Sequence, residues 1–351
     1  MLEKLSNAFG PSGCEHEVRE LVIGEIKDHV DNYRVDHLGN LLAFKRGTSR
    51  VGQPKTGKRT TIMVAAHMDE VGFMITRADT DGFLHFTNVG GIDERVLPTK
   101  RVKIGPKRIQ GIIISPPIHV LSLEKRKKVT PAYELVIDIG VTSKDAAEAK
   151  CPKGTYATFE TTYRKLGRGI VCGKAFDDRV GCAMLIELLK RGPYPFDVCA
   201  AFTTMEEIGL RGAKVAGHEV KPDIAFVLEG TICEDSPKDR ETCPITKLGD
   251  GPAITLVDGN TIVNRKLTQF ALRRAEACGI PCQIKRPGVG GTDAGAIQRS
   301  GSGVPSLPIS VPVRYIHSPA SVLSLKDMKQ TVDLVEDLIR NISPQAIKVK
   351  A

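Results

Sequence analysis

The sequence predicts an α/β fold, a doubly wound mixed sheet interrupted by an inserted small β-barrel domain. Three observations predict it. From Gly173 onward helical and strand patterns alternate, the arrangement that packs helices on both faces of a sheet. Residues 62–66 are apolar at every position, as a strand buried on both faces requires. Across residues 71–163 the texture changes to short β-rich pieces broken by Gly and Pro turns.

Near the start, Ser12 followed three residues later by Glu15 reads as a capping box. Val18, Leu21, Val22, Ile26 and Val30 then recur at helical spacing, so the first helix is expected there. Two extended segments follow, at 41–45 and 60–66, joined by a basic, glycine-containing loop. The β-rich stretch carries Phe73-Met74-Ile75, Ile112-Ile113-Ile114 and Leu135-Val136-Ile137. Beyond it, a helix with Val180, Ala183, Met184, Leu185, Leu188 and Leu189 leads to strands at 198–203 and 224–228. Helical patterns at 261–277 and through Met328, Val332, Val335, Leu338 and Ile339 are expected to cover the sheet faces. The boundaries that follow are 1–70 and 164–351 for the two parts of the sheet domain and 71–163 for the insertion.

Composition removes several function classes. No apolar run approaches the eighteen or so residues of a membrane span, and the N-terminus lacks the pattern of a secretion signal, so a cytoplasmic protein with no membrane partner is expected. Nine cysteines without a CxxC pair fit reduced thiols. The formal charge of +9 invites a nucleic-acid reading, but the basic clusters Lys45-Arg46 and Lys125-Arg126-Lys127-Lys128 have no interleaved aromatics, and aromatics are 5% of the chain. Solvated loops and no nucleic-acid partner are the reading. A glycosidase is disfavoured because the chain has no Trp and six Tyr from which to build sugar platforms.

In open α/β sheets ligands collect beyond the carboxyl ends of the strands, where chain reversals leave polar crevices. Ionisable groups cluster at those ends: His67-Met68-Asp69-Glu70 after 62–66, Asp177-Asp178-Arg179 before the helix near Val180, Glu206-Glu207 after 198–205, Glu229 after 224–228, and His317 after 309–316. Two imidazoles with several carboxylates suit zinc, cobalt or manganese and are too rich in nitrogen for a typical calcium site. Adjacent residues of an extended segment project to opposite sides, so Glu206 and Glu207 are expected to divide two roles, one at a metal and one at the substrate cleft.

His67-Met68-Asp69-Glu70-Val71-Gly72, Ala175-Phe176-Asp177-Asp178-Arg179-Val180-Gly181, Thr204-Met205-Glu206-Glu207-Ile208-Gly209 and Tyr315-Ile316-His317-Ser318 together resemble the tetrahedral, or TET-type, metallo-aminopeptidase family, glutamyl/leucyl aminopeptidase-like and often labelled cellulase or endoglucanase. Asp36-His37-Leu38-Gly39-Asn40 and Gly290-Gly291-Thr292-Asp293-Ala294 also resemble that family. The resemblance spans nearly the whole chain and implies a zinc exopeptidase-like sheet domain.

It also implies two divalent metal ions per subunit, zinc or cobalt, with manganese as a further option. Asp177 would bridge them, Glu207 and His317 would complete one coordination sphere, and His67 with Glu229 the other. The family usually has Asp where this sequence has Glu229, a ligand one methylene longer. Glu206 would be the general base, taking a proton from a metal-bridged water, and Asp69 would orient the His67 imidazole. The implied substrates are short peptides, and the implied assembly is dimers paired through the inserted domain and built into a tetrahedral dodecamer. A related two-metal amidohydrolase, a deacylase or carboxypeptidase, is the alternative. The sign of the crevice bears on that choice: Asp177, Asp178, Glu206, Glu207 and Glu229 bring five formal negative charges against four from two divalent ions, a field suited to a substrate ammonium.

Overall fold

A computed structural model describes residues 1–48, 59–236 and 245–343. The chain opens with α1 (Leu2–Asn7) and α2 (His16–Ile26), then β1 (Asn32–Val35), β2 (Leu41–Lys45) and β3 (Thr61–His67). α2 buries Val18, Val22 and Ile26, the stripe its spacing dictates. The capping box is not formed, and α1 precedes the helix expected first. Ser12 Oγ donates to Asp69 at 2.5 Å, while Glu15 accepts from the amides of nearby Gly13 and distant Met205, so neither side chain serves the helix end.

The insertion comprises β4 (Gly72–Ala78), β5 (Leu84–Val89), β6 (Arg101–Ile104), β7 (Ile109–Ile114), α3 (Leu123–Arg126), β8 (Val136–Asp138), α4 (Lys144–Lys150) and β9 (Tyr156–Phe159). Its six strands close in the order β4-β5-β8-β7-β6-β9, every neighbouring pair antiparallel. Closure removes the free edges a small sheet would otherwise expose. The interior is a separate apolar cluster in which Phe73 meets Phe86 and Phe159 edge-on, ring centres 5.2 and 5.1 Å apart.

The remainder supplies β10 (Arg164–Lys165), β11 (Ile170–Gly173), α5 (Phe176–Arg191), β12 (Asp197–Thr203), α6 (Arg211–Val220), β13 (Ile224–Cys233), β14 (Ala253–Ile254), α7 (Arg265–Ala277), β15 (Gln283–Ile284), α8 (Asp293–Gln298), β16 (Ser306–Arg314), β17 (Ser321–Ser324) and α9 (Leu325–Asn341). The large sheet runs β1-β2-β12-β3-β13-β16-β17-β11-β10, with β14 and β15 off this path. Its centre, β12, β3, β13 and β16, is parallel and its flanks antiparallel, a mixed sheet.

Successive β3 side chains feed opposite faces. Ile62, Val64 and Ala66 join a core with α1, α2, α5, α7 and α9, whereas Met63 and Ala65 join a smaller one with α6 and α8. The helices expected at 261–277 and at the C-terminal end therefore cover the same face, because an amphipathic stripe fixes that a helix is covered and not by which side of a sheet. No helix among the described residues is long and apolar enough to cross a membrane, and the described cysteines are free.

Glu229 also differs from expectation. It lies inside β13, which pairs with β16 as far as Cys233 and Arg314, although its pairing with β3 ends at Val227 and Ala65. It is thus beyond the end of one neighbour while still within the strand.

Candidate metal centre

The parallel strands bring the predicted residues together. His67 ends β3, Glu206 and Glu207 follow β12, and Glu229 stands in β13 where β3 has stopped. Asp177 opens α5 with non-helical backbone angles (φ −84°, ψ 106°), as does Asp178. His317 follows β16 in a turn where it and Tyr315 both have left-handed φ, 53° and 60°. Glu206 and Glu207 lie past the strand end, and Met205 before them has a left-handed φ of 54°, so the alternation of a pleated strand does not govern where their side chains point.

One carboxylate stands between two imidazoles. Asp177 Oδ1 is 3.3 Å from His67 Nε2, and Asp177 Oδ2 is 3.4 Å from His317 Nε2. Glu207 Oε2 is 3.2 Å from His317 Nε2, and Glu229 Oε2 is 3.6 Å from His67 Nε2. Two triads result, Asp177-Glu207-His317 and His67-Asp178-Glu229, in each of which the candidate donor atoms lie within 4.8 Å of one another. Asp178 is the addition to the expected ligands. Its oxygens are already engaged, Oδ2 accepting from the His67 amide at 3.1 Å and Oδ1 from those of Gly181 and Gly230 at 2.9 and 3.1 Å, so it fixes backbone around the centre.

Asp69 lies within ion-pair distance of His67, 3.3 Å from Asp69 Oδ1 to His67 Nδ1. The same carboxylate accepts from the amides of Glu206 at 3.0 Å and Glu207 at 3.1 Å. Its hold on the Glu206-Glu207 turn was not legible beforehand.

The electrostatics are those of too many anions in too little water. Burial, then repulsion from Asp177, pushes the Glu207 carboxyl up to about 8 despite the opposing pull of His317. Burial raises Glu206 and Glu229 well above the carboxylate range, helped by Asp293 for the first and Asp178 for the second. Burial alone would lower the imidazoles; instead Asp177 and Asp69 raise His67 well above its ordinary value, and Asp177 and Glu207 raise His317 to about 9. Glu207 Oε1 and Glu229 Oε1 are buried and accept no hydrogen bond. Buried acceptors without donors, paired with imidazole nitrogens in two compact triads, fit a divalent cation at each.

Beside this centre lies a charge cluster that sequence reasoning missed. Glu70 receives Lys174 Nζ at 2.6 and 2.7 Å and Arg179 Nη2 at 3.2 Å, all fully or nearly fully buried. The two cations also donate to the carbonyls of Leu5, Ala8, Gly10 and Met68. Burial, with Arg179 nearby, lowers the Lys174 ammonium to about 8 against the pull of Glu70. Glu70 and Arg179 sat within motifs already singled out and Lys174 one residue before one, but partners a hundred residues apart in sequence leave no local signal.

A small cleft lined by Val71 and Phe159 of the barrel domain reaches Asp177, Glu207 and His317. A roomier concavity of about 760 Å³, between α6 and α8 and lined by Lys214, His218 and Arg299, holds none of these carboxylates and is set aside as the reaction site.

The M42 glutamyl aminopeptidase family model matches residues 47–334. A lysyl aminopeptidase from Pyrococcus furiosus is 30% identical over 351 residues, covering 98% of this chain and 97% of its own. A TET aminopeptidase from the marine sediment archaeon Thaumarchaeota archaeon SCGC AB-539-E09 superposes with a TM-score of 0.92 at 36% identity, covering 99% of this chain and 98% of that one. A Pyrococcus horikoshii TET1 peptidase, described as assembling into a tetrahedron or a large octahedral shell, gives 0.84 at 38% identity, with 97% and 98% covered.

Proposed function

The chain belongs to the M42 glutamyl aminopeptidase family and is a metallo-aminopeptidase, and from that premise we propose that it uses two divalent cations, zinc, cobalt or manganese, to remove residues from the N-terminus of short peptides. The observation that carries this reading is Asp177, one oxygen toward His67 and the other toward His317, the disposition of a carboxylate shared by two cations. Glu207 and His317 would complete one site, His67 and Glu229 the other.

The cations would supply a water of lowered pKa, from 15.7 toward about 7 in zinc sites, and would polarise the scissile carbonyl. Glu206 takes the proton of the attacking water and returns it to the leaving amine, a role worth about 10² to 10⁴ in rate. Asp69 orients His67 and holds the turn that carries Glu206 and Glu207. In formal charge Asp177, Asp178, Glu206, Glu207 and Glu229 outweigh two divalent cations by one, and the further carboxylate of Asp293 is matched by the buried Lys285 ammonium that faces Glu229 and Asp177, so the cleft favours a substrate ammonium and opposes a substrate carboxylate.

The barrel domain, residues 71–163, is the pairing unit in this reading, with dimers assembling into a tetrahedral dodecamer. Exposed Val120, Leu123 and Tyr133 on the insertion support it. Light scattering on the purified chain tests the assembly, and a monomer contradicts it.

The amine requirement separates this activity from a deacylase or carboxypeptidase on the same metal shell. A short peptide is compared with its N-acetylated and C-amidated forms at equal metal loading. Acetylation should abolish cleavage and amidation change it little; equal or faster cleavage of the acetylated peptide moves the protein to another amidohydrolase class.

A further inference from the structure

Four consecutive backbone amides at the turn carrying Glu206 and Glu207 all donate to side chains. Thr204 N donates to Asn40 Oδ1 at 2.9 Å, Met205 N to Glu15 Oε1 at 3.1 Å, Glu206 N to Asp69 Oδ1 at 3.0 Å and Glu207 N to Asp69 Oδ2 at 3.1 Å. Consecutive amides normally find their acceptors in a ladder or a helix, and here β12 has ended and α6 has not begun. Met205 is left-handed, a conformation that a residue with a side chain keeps only when its surroundings over-determine it.

The acceptors are themselves held. Asn40 Nδ2 donates to Asp36 Oδ2 at 2.6 Å and to the Gly212 carbonyl at 3.0 Å, and Asp36 Oδ1 accepts from the amides of Leu38 and Asn40. A Cβ at Gly212 would lie 2.2 Å from Asn40 Oδ1 and 2.4 Å from the Thr204 carbonyl, so only glycine admits this approach. Glu15 Oε1 also accepts from Gly13 N at 2.8 Å, and Ser12 Oγ donates to Asp69. Asn40 and Asp69 are fully buried and Glu15 nearly so. This explains why the apparent capping box at Ser12 and Glu15 caps nothing.

We propose that Glu15 and Asn40, with Asp69, are positioning residues that form a side-chain cradle for the Thr204–Glu207 backbone and thereby set the place of the catalytic Glu206 carboxylate. The inference rests on Glu206 being the general base. Neither Glu15 nor Asn40 appears among the residues predicted to touch metal or substrate. Each works through a backbone amide that a single acceptor oxygen satisfies, so the geometry requires an acceptor at each position and not a charge. General-base catalysis depends on placement at the scale of an ångström, and a shift of that size lowers the rate by about 10²-fold.

The test uses the whole chain, with Glu15→Ala, Glu15→Gln and Asn40→Ala. Two quantities are read: kcat and KM on a short unblocked peptide at equal measured metal content, and amide hydrogen exchange of the segment containing residues 203–208. Glu15→Ala should speed exchange in that segment and lower kcat by about 10- to 100-fold, with KM within a few-fold of the parent. Glu15→Gln keeps the acceptor and should recover most of both effects. Asn40→Ala supplies the same two readings should Glu15→Ala fail to fold. Unchanged exchange in the alanine variants overturns the cradle, as does a glutamine variant as impaired as the alanine. Faster exchange with kcat intact retains the cradle and overturns its role in placing the base, and Glu206→Gln, which lowers kcat whatever the cradle does, tells that outcome apart from a misassigned Glu206.

Discussion

The Glu70-Lys174-Arg179 cluster and the His67-Asp177-His317 centre draw on neighbouring residues of the same segments, yet only the first is closed by the protein. Glu70 stands next to Asp69, and Lys174 and Arg179 flank Asp177. In the cluster one carboxylate faces two cations, and the remaining donors reach main-chain carbonyls. In the centre, carboxylates outnumber imidazoles, two buried oxygens accept nothing, and burial together with repulsion lifts Glu207 and Glu229. The difference teaches which buried charges are scaffold and which await a partner. A satisfied network specifies a conformation, whereas an unsatisfied one carries a desolvation cost that protonation or a bound ligand must offset.

The largest expected effect separates chemistry from metal holding within the second region. Glu206→Gln should lower kcat by about 10² to 10⁴ and leave metal content unchanged, whereas Glu207→Gln should lower the affinity of one metal site. Kinetics beside elemental analysis of the purified variants reads both. Metal loss in Glu206→Gln with retention in Glu207→Gln would reverse the two roles.

The next prediction strikes the first region. Glu70→Ala leaves Lys174 and Arg179 buried without their carboxylate and should cost about 3–5 kcal/mol of stability. Urea unfolding at fixed metal concentration measures it. A loss below about 1 kcal/mol would show that the main-chain carbonyls suffice and that the cluster is not closed by charge pairing.

The smallest effect is expected from Glu229→Asp. It shortens one ligand by a methylene but keeps the carboxylate that the family usually presents there, so activity should stay within about tenfold of the parent, against a much larger loss for Glu229→Ala. Equal loss in both would mean that β13 sets the reach of this ligand to suit glutamate alone.

How far these regions could be read in advance follows from the range of the signals. Apolar runs such as 62–66 and 198–202 mark parallel strands because burial on both faces leaves no polar position, and the ends of those strands pointed to His67, Glu206 and Glu207. The strand end read before Glu229 is that of one neighbour only, since the apolar run stops at Leu228 while pairing with β16 continues to Cys233. Ser12 and Glu15 matched a helix-capping pattern whose local partners lost to Asp69 and Met205, and nothing near them in sequence shows that competition. Helix stripes gave the existence of α7 and α9 and not their shared face. Asp178, Glu70 and Arg179 lay inside recognised motifs and Lys174 beside one, but their roles depend on backbone groups that only the fold assembles.

The central claim, that the unsatisfied region is a two-cation site, is tested most directly by anomalous diffraction at the metal absorption edge on crystals of the loaded protein. The account predicts two peaks per chain with Asp177 contacting both, one also against His67 and Glu229 and the other against Glu207 and His317. A single peak, or two peaks that share no contact with Asp177, would contradict it.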